Sequence, residues 1–145
     1  MADFNDWNNY GGLYVVGGVT AEAGAAAAKV AAFTTVMPSS SACTPSAATD
    51  DITVTDAGDY WVAAQVSLSG TLSETYTIEF RIDGVATNIK FTRKIGTGGD
   101  VGSASLVGIL TLAAGEAVSL YQESDGAGVM TIENAQLTVM KIGWQ

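Results

Sequence analysis

Gly58-Asp59-Tyr60-Trp61-Val62-Ala63-Ala64-Gln65-Val66-Ser67-Leu68-Ser69-Gly70 alternates along its length. Tyr60, Val62, Ala64, Val66 and Leu68 fall on one side, and Asp59, Trp61, Ala63, Gln65, Ser67 and Ser69 on the other. Successive side chains of a strand point to opposite faces, so a period of two predicts a strand with one face in a core. The second face is small and polar except for Trp61, which needs a separate explanation.

The chain around this stretch reads the same way. Ile52-Thr53-Val54-Thr55 predicts a short strand, and Asp56-Ala57-Gly58-Asp59 a turn. From Glu74 to Asp83, Tyr76, Ile78, Phe80 and Ile82 point inward, with Thr75, Thr77, Glu79, Arg81 and Asp83 outward. Asp83-Gly84 is a hairpin signal, leading to a strand with Ile89, Phe91 and Ile95 on one side. Ser103–Leu112 puts Leu106, Leu110 and Leu112 on one face and Val107 and Ile109 on the other. Val118 and Leu120 point inward in the next strand. The last, Met130–Gly143, sets Leu137 and Val139 against Met140 and Ile142. Leu13-Tyr14-Val15-Val16 predicts a short strand between Gly11-Gly12 and Gly17-Gly18. Residues 21–32 are alanine-rich. They read as a short helix or, preferred because Gly24 interrupts them, as an irregular segment ending in a strand near Lys29–Thr35. Residues 37–49, with Pro38 and Pro45, predict a loop.

The fold class is therefore all-β, a sandwich or jelly roll of two antiparallel sheets. A short N-terminal arm at residues 1–12 precedes the jelly-roll domain at 13–145. Composition agrees: of 145 residues 48% are hydrophobic and 14% charged, with 17 glycines and little of the Glu, Lys, Arg and Leu that fill ordinary soluble helices.

Strands apolar on both faces must be covered on both. The opening strand adds Trp61 to its second face, the 103–112 strand adds Val107 and Ile109, and the last strand adds Met140 and Ile142. The 75–83 strand adds nothing apolar, so it should border water. A subunit interface is the economical cover. Burying a few hundred Å² of that surface would contribute on the order of 10 kcal/mol gross, much of it offset by the entropy of association.

The charge balance, 15 acids against 6 bases or −9, opposes nucleic-acid binding. Arg81, Lys90, Arg93 and Lys94 lie close in sequence and read as solvated strand positions rather than a site for an anionic partner. No segment has the ~18–20 apolar residues of a membrane span. The first six residues lack the features of a signal peptide, which predicts a chain made and assembled in a cytoplasm.

The chemistry is sparse. With no histidine, Ser-His-Asp and Cys-His pairs are excluded. Cys43 in a Ser/Ala loop reads as a spare thiol. Asp50, Asp51, Asp56 and Asp59 read first as turn residues; calcium binding and a glycosidase pair are the alternatives. Gly96–Gly102 reads as a surface loop, not a phosphate cradle. No enzyme activity, cofactor or metal is expected. Phe4, Trp7 and Tyr10 stand in an asparagine-rich arm. They are candidates for docking onto another protein or a neighbouring subunit, or for folding back on the core. Trp144 is placed to cap a core or an interface.

Several stretches together resemble the C1q/TNF-like jelly roll. They are Ile52-Thr53-Val54 followed by Gly58-Asp59-Tyr60-Trp61-Val62; Arg81-Ile82-Asp83-Gly84; Ser103-Ala104-Ser105-Leu106; Leu110 through Leu120; and Ala135-Gln136-Leu137-Thr138-Val139. With Gly11-Gly12-Leu13-Tyr14 the chain also resembles small jelly-roll virion proteins of tailed bacteriophages. The resemblance implies ten strands in two five-stranded sheets, closed as a homotrimer. The opening, 103–112 and last strands would share the sheet facing the threefold axis. No collagen-like stalk or membrane anchor is seen in the sequence. The expected function is a trimeric capsid decoration or cementing protein, made in a host cytoplasm and carried on the capsid surface of the virion. Trp61, Val107, Ile109, Met140 and Ile142 would hold the trimer, and Phe4, Trp7 and Tyr10 would dock on the major capsid or another virion protein. The alternative is the receptor- or glycan-binding head of a phage fibre or spike.

Overall fold

The computed structural model describes residues 9–22, 25–97 and 99–143. Eleven strands follow one another: β1 Tyr10–Glu22, β2 Ala28–Lys29, β3 Thr35–Val36, β4 Cys43–Ser46, β5 Asp51–Val54, β6 Gly58–Gly70, β7 Thr75–Ile82, β8 Val85–Lys94, β9 Gly102–Leu112, β10 Ala117–Ser124 and β11 Val129–Gly143. No helix occurs among the described residues.

The first sheet runs β3-β1-β11-β6-β9, and the second β4-β5-β10-β7-β8, with β2 added against β10. Every pairing is antiparallel. From β5 onward the chain crosses between sheets at each step except the β7–β8 hairpin, which gives a jelly-roll sandwich. That hairpin turns at Asp83 and Gly84 with φ of 48° and 82°, the left-handed pair that a two-residue turn between twisted strands needs.

β6 is central because both neighbours, β11 and β9, pair along almost its whole length. Its inward residues Tyr60, Val62, Ala64, Val66 and Leu68 are all buried. They meet Tyr76, Ile78, Phe80, Val118 and Leu120 of the second sheet in one core. The Tyr60 hydroxyl reaches the edge of that core and donates to the Asp56 carbonyl at 2.7 Å.

Several expectations are corrected. β1 spans 13 residues, not four, so its pairing with β11 begins at Tyr10, inside the expected arm. Gly11-Gly12 does not end a segment. A Cβ on Gly12 would lie 2.7 Å from Met37 Sδ, so glycine there is the space Met37 occupies. Gly17-Gly18 does not end the strand either. With φ of 97° and 51° it forms a bulge, after which pairing with β11 resumes at Val19.

The expected 37–49 loop contains β4, with Pro45 opposite Ile52. Proline is tolerated there because β4 is an edge strand. The expected 29–35 strand is instead two short strands on different sheets. The second sheet accordingly holds six strands, not five. Glu79 is 8% exposed, not solvated, because Arg81 and Tyr121 close over it.

Candidate functional site

The strand register turns scattered outward residues of the first sheet into rows. Tyr10 pairs with Met140, Met140 with Trp61, and Trp61 with Ile109, so one row crosses β1, β11, β6 and β9. The next row is Gly12, Thr138, Ala63 and Val107. Directly opposed side chains on neighbouring strands sit ~5 Å apart, so Trp61 is flanked by Met140 and Ile109. The alternation of β11 also turns Ile142 outward, beside Met140.

These groups are open to solvent in the single chain. Val107 and Ile109 are 61% and 62% exposed, and Tyr10, Met140 and Ile142 are each exposed by about two fifths. Trp61 is half-buried between its neighbours and borders a notch of about 100 Å³ with Ala63, Gln136 and Thr138. The structure thus places Trp61, Val107, Ile109, Met140 and Ile142 on one face.

Tyr10 joins this face through its register with Met140, a grouping that its position in the sequence did not reveal. Its root is fixed: the Asn9 side chain donates to Asp56 Oδ2 at 2.9 Å, Lys141 N–H donates to the Asn9 carbonyl at 2.8 Å, and Tyr10 N–H donates to Ser40 Oγ at 3.1 Å. Phe4, Trp7 and Trp144 lie outside the described residues.

Charge stops at the rims of this face. Asp59 accepts from Thr111 Oγ1 at 2.7 Å at one end, and Glu133 from Ser69 Oγ at 2.9 Å at the other. Between them, among the described residues, no outward side chain on β1, β11, β6 or β9 is ionisable at neutral pH.

The other sequence candidates do not converge. Asp50 and Asp51 lie at the start of β5 and Asp56 beyond its end, so about four residues of strand, over 10 Å, separate them. Asp50 accepts from Phe33 N–H at 2.9 Å, and burial nevertheless raises its carboxyl. Asp51 pairs with Lys29 at 2.9 Å. Among the described residues no three His, Cys, Asp or Glu side chains come together to hold a metal.

Cys43 is not in a loop. It is buried in β4, and burial pushes its thiol up to about 11, away from the thiolate needed for reactivity. The basic run also disperses. Arg81 bonds Glu79, Lys90 and Lys94 point to solvent, and Arg93 turns inward against Gly102.

No protein-family model matches the sequence, and no curated protein matches it. The fold does have counterparts among solved structures. Eiger, a TNF from S. frugiperda, is similar at TM-score 0.62 and 13% identity, over 94% of this chain and 95% of that one. Murine APRIL, solved at pH 5.0, is similar at TM-score 0.62 and 15% identity, over 92% and 100%. The class is thereby defined as an all-β, TNF-like jelly-roll sandwich of two antiparallel sheets. At these identities the likeness establishes the fold alone.

Proposed function

We propose that this chain is a structural building block that closes as a homotrimer through the outer face of the β3-β1-β11-β6-β9 sheet, and that the trimer decorates and cements a capsid. One observation carries the self-association. A chain of net charge −9 keeps one sheet face free of charge between Asp59 and Glu133 and lines it with Tyr10, Trp61, Val107, Ile109, Met140 and Ile142. Copies repel one another through most of their surface; this face lets them approach and rewards contact with apolar burial. Small neighbours such as Gly12 and Ala63 leave room for another chain beside Trp61.

The capsid role rests on the resemblance to phage jelly-roll proteins. Its attachment element is the segment before β1, with Phe4 and Trp7 as anchors. Because Asn9 and Tyr10 are tied into the sandwich, the informative truncation removes residues 2–8 only. The truncated protein is expected to keep its oligomeric mass and lose co-sedimentation with purified particles. Co-sedimentation at the wild-type level would rule out this attachment. Copy number per particle separates the roles: hundreds fit decoration, whereas a few dozen or fewer fit the head of a fibre or spike.

A further inference from the structure

Beyond its apolar rows the same face continues as two uncharged rows, polar except for Val16 on β1. Tyr14, Gln136, Gln65 and Ser105 form the first, and Val16, Asn134, Ser67 and Ser103 the second. Gln136 and Gln65 stand directly opposite each other on β11 and β6. Among the described residues the side chains of Gln65, Gln136, Asn134 and Ser67 have no hydrogen-bond partner. A cleft of about 220 Å³ lies over Tyr14, Gln65, Ser67, Asn134 and Gln136. Another of about 320 Å³ shares Gln65 and Ser67 and continues to Ser103 and Ser105.

We infer that Gln65 and Gln136 form a polar layer of the same self-association, hydrogen-bonding to second copies of this chain and fixing how many subunits close and in what register. The inference rests on the self-association proposed above. Two features select a second copy as the occupant. The polar rows lie on the same four strands as the apolar rows and continue them without a break. Like them, they carry no charge in a chain of net −9.

The two halves act differently. Apolar contact is non-directional and tolerates sliding or a changed number of copies. An amide is directional, and one buried without a partner costs ~1–3 kcal/mol. An assembly that misplaces these glutamines is therefore penalised, as polar residues at single core positions penalise wrong partners in coiled coils.

Native mass spectrometry and sedimentation velocity on two variants test the layer. Gln65→Leu with Gln136→Leu is expected to associate at least as tightly as wild type but to spread over several stoichiometries. One species of wild-type mass and stability would overturn the inference. Gln65→Glu alone keeps side-chain shape, points away from its own core and sets no second carboxylate opposite it within the chain, so the subunit stays folded. Its association is expected to weaken about a hundredfold or more, and undiminished association would also overturn the inference. A monomeric wild type would overturn the self-association and this layer together, whereas a wild-type trimer with unaffected variants overturns the layer alone.

Discussion

The two sheets bury the same core and present opposite chemistry outward. The β4-β5-β10-β7-β8 sheet carries ionic groups, and key ones are matched within the chain. Arg81 bonds Glu79 and lies 4.6 Å over the Tyr121 ring, and Lys29 pairs with Asp51 at 2.9 Å. Thr77 and Thr92 hydrogen-bond across β7 and β8 at 3.2 Å. The β3-β1-β11-β6-β9 sheet has the reverse arrangement among the described residues: no charge between Asp59 and Glu133, exposed aromatic and aliphatic rows, and amides without a partner. A face that satisfies its own polar groups is finished in a single chain. A face that leaves apolar surface open and amides free is, on the proposal made above, finished by another copy of the chain.

The largest expected effect breaks the unfinished face. Trp61→Asp would bury an unpaired carboxylate in the association, weakening it on the order of a thousandfold. Light scattering should report monomers. The matching change on the other sheet, Thr44→Asp at an exposed position of β4, should leave the assembled mass unaltered.

An intermediate effect is expected on the self-satisfied face. Arg81→Ala strands the nearly buried Glu79 carboxylate and removes the cover over Tyr121. It should cost roughly 2 kcal/mol in denaturant unfolding of the subunit, with no change in subunit number.

The smallest effect concerns Asp50. Burial raises its carboxyl, so the folded chain holds that proton more tightly than the unfolded chain does. Its contribution is most favourable below the unfolded value of about 3.9 and declines as pH rises through the folded value. Asp50→Asn keeps an acceptor for Phe33 N–H and tolerates the φ of 54°. It should flatten the stability curve just above pH ~4 and leave association untouched.

What was legible in the sequence follows from which signals are local. Period-two alternation needs only neighbouring residues, so β6 has the expected limits, and the outward faces of β9 and β11 hold the expected residues. The Asp83-Gly84 turn was legible because its backbone demand falls on two adjacent positions.

Register is not local. Nothing near Tyr10 in the chain says that it stands beside Met140, and nothing near Gln65 says that it opposes Gln136. Glu79 alternates outward in sequence, yet Tyr121 from β10 and Arg81 bury it. β4 was hidden by Pro45, which reads as a breaker until β4 is known to be an edge strand. Gly11-Gly12 read as punctuation because the close packing of Gly11 on Cys43 and of Gly12 on Met37 leaves no mark in their own stretch. Asp50, Asp51, Asp56 and Asp59, read first as turn residues, do not draw into one cluster, since strand β5 stands between Asp50 and Asp51 on one side and Asp56 on the other.

The central claim is that the uncharged sheet face is buried between copies of this chain. Sedimentation equilibrium of the unmodified protein at micromolar concentration tests it most directly. The account predicts a single species at three times the 14.8 kDa chain mass. A species at the mass of one chain, unchanged on raising the concentration, would contradict it.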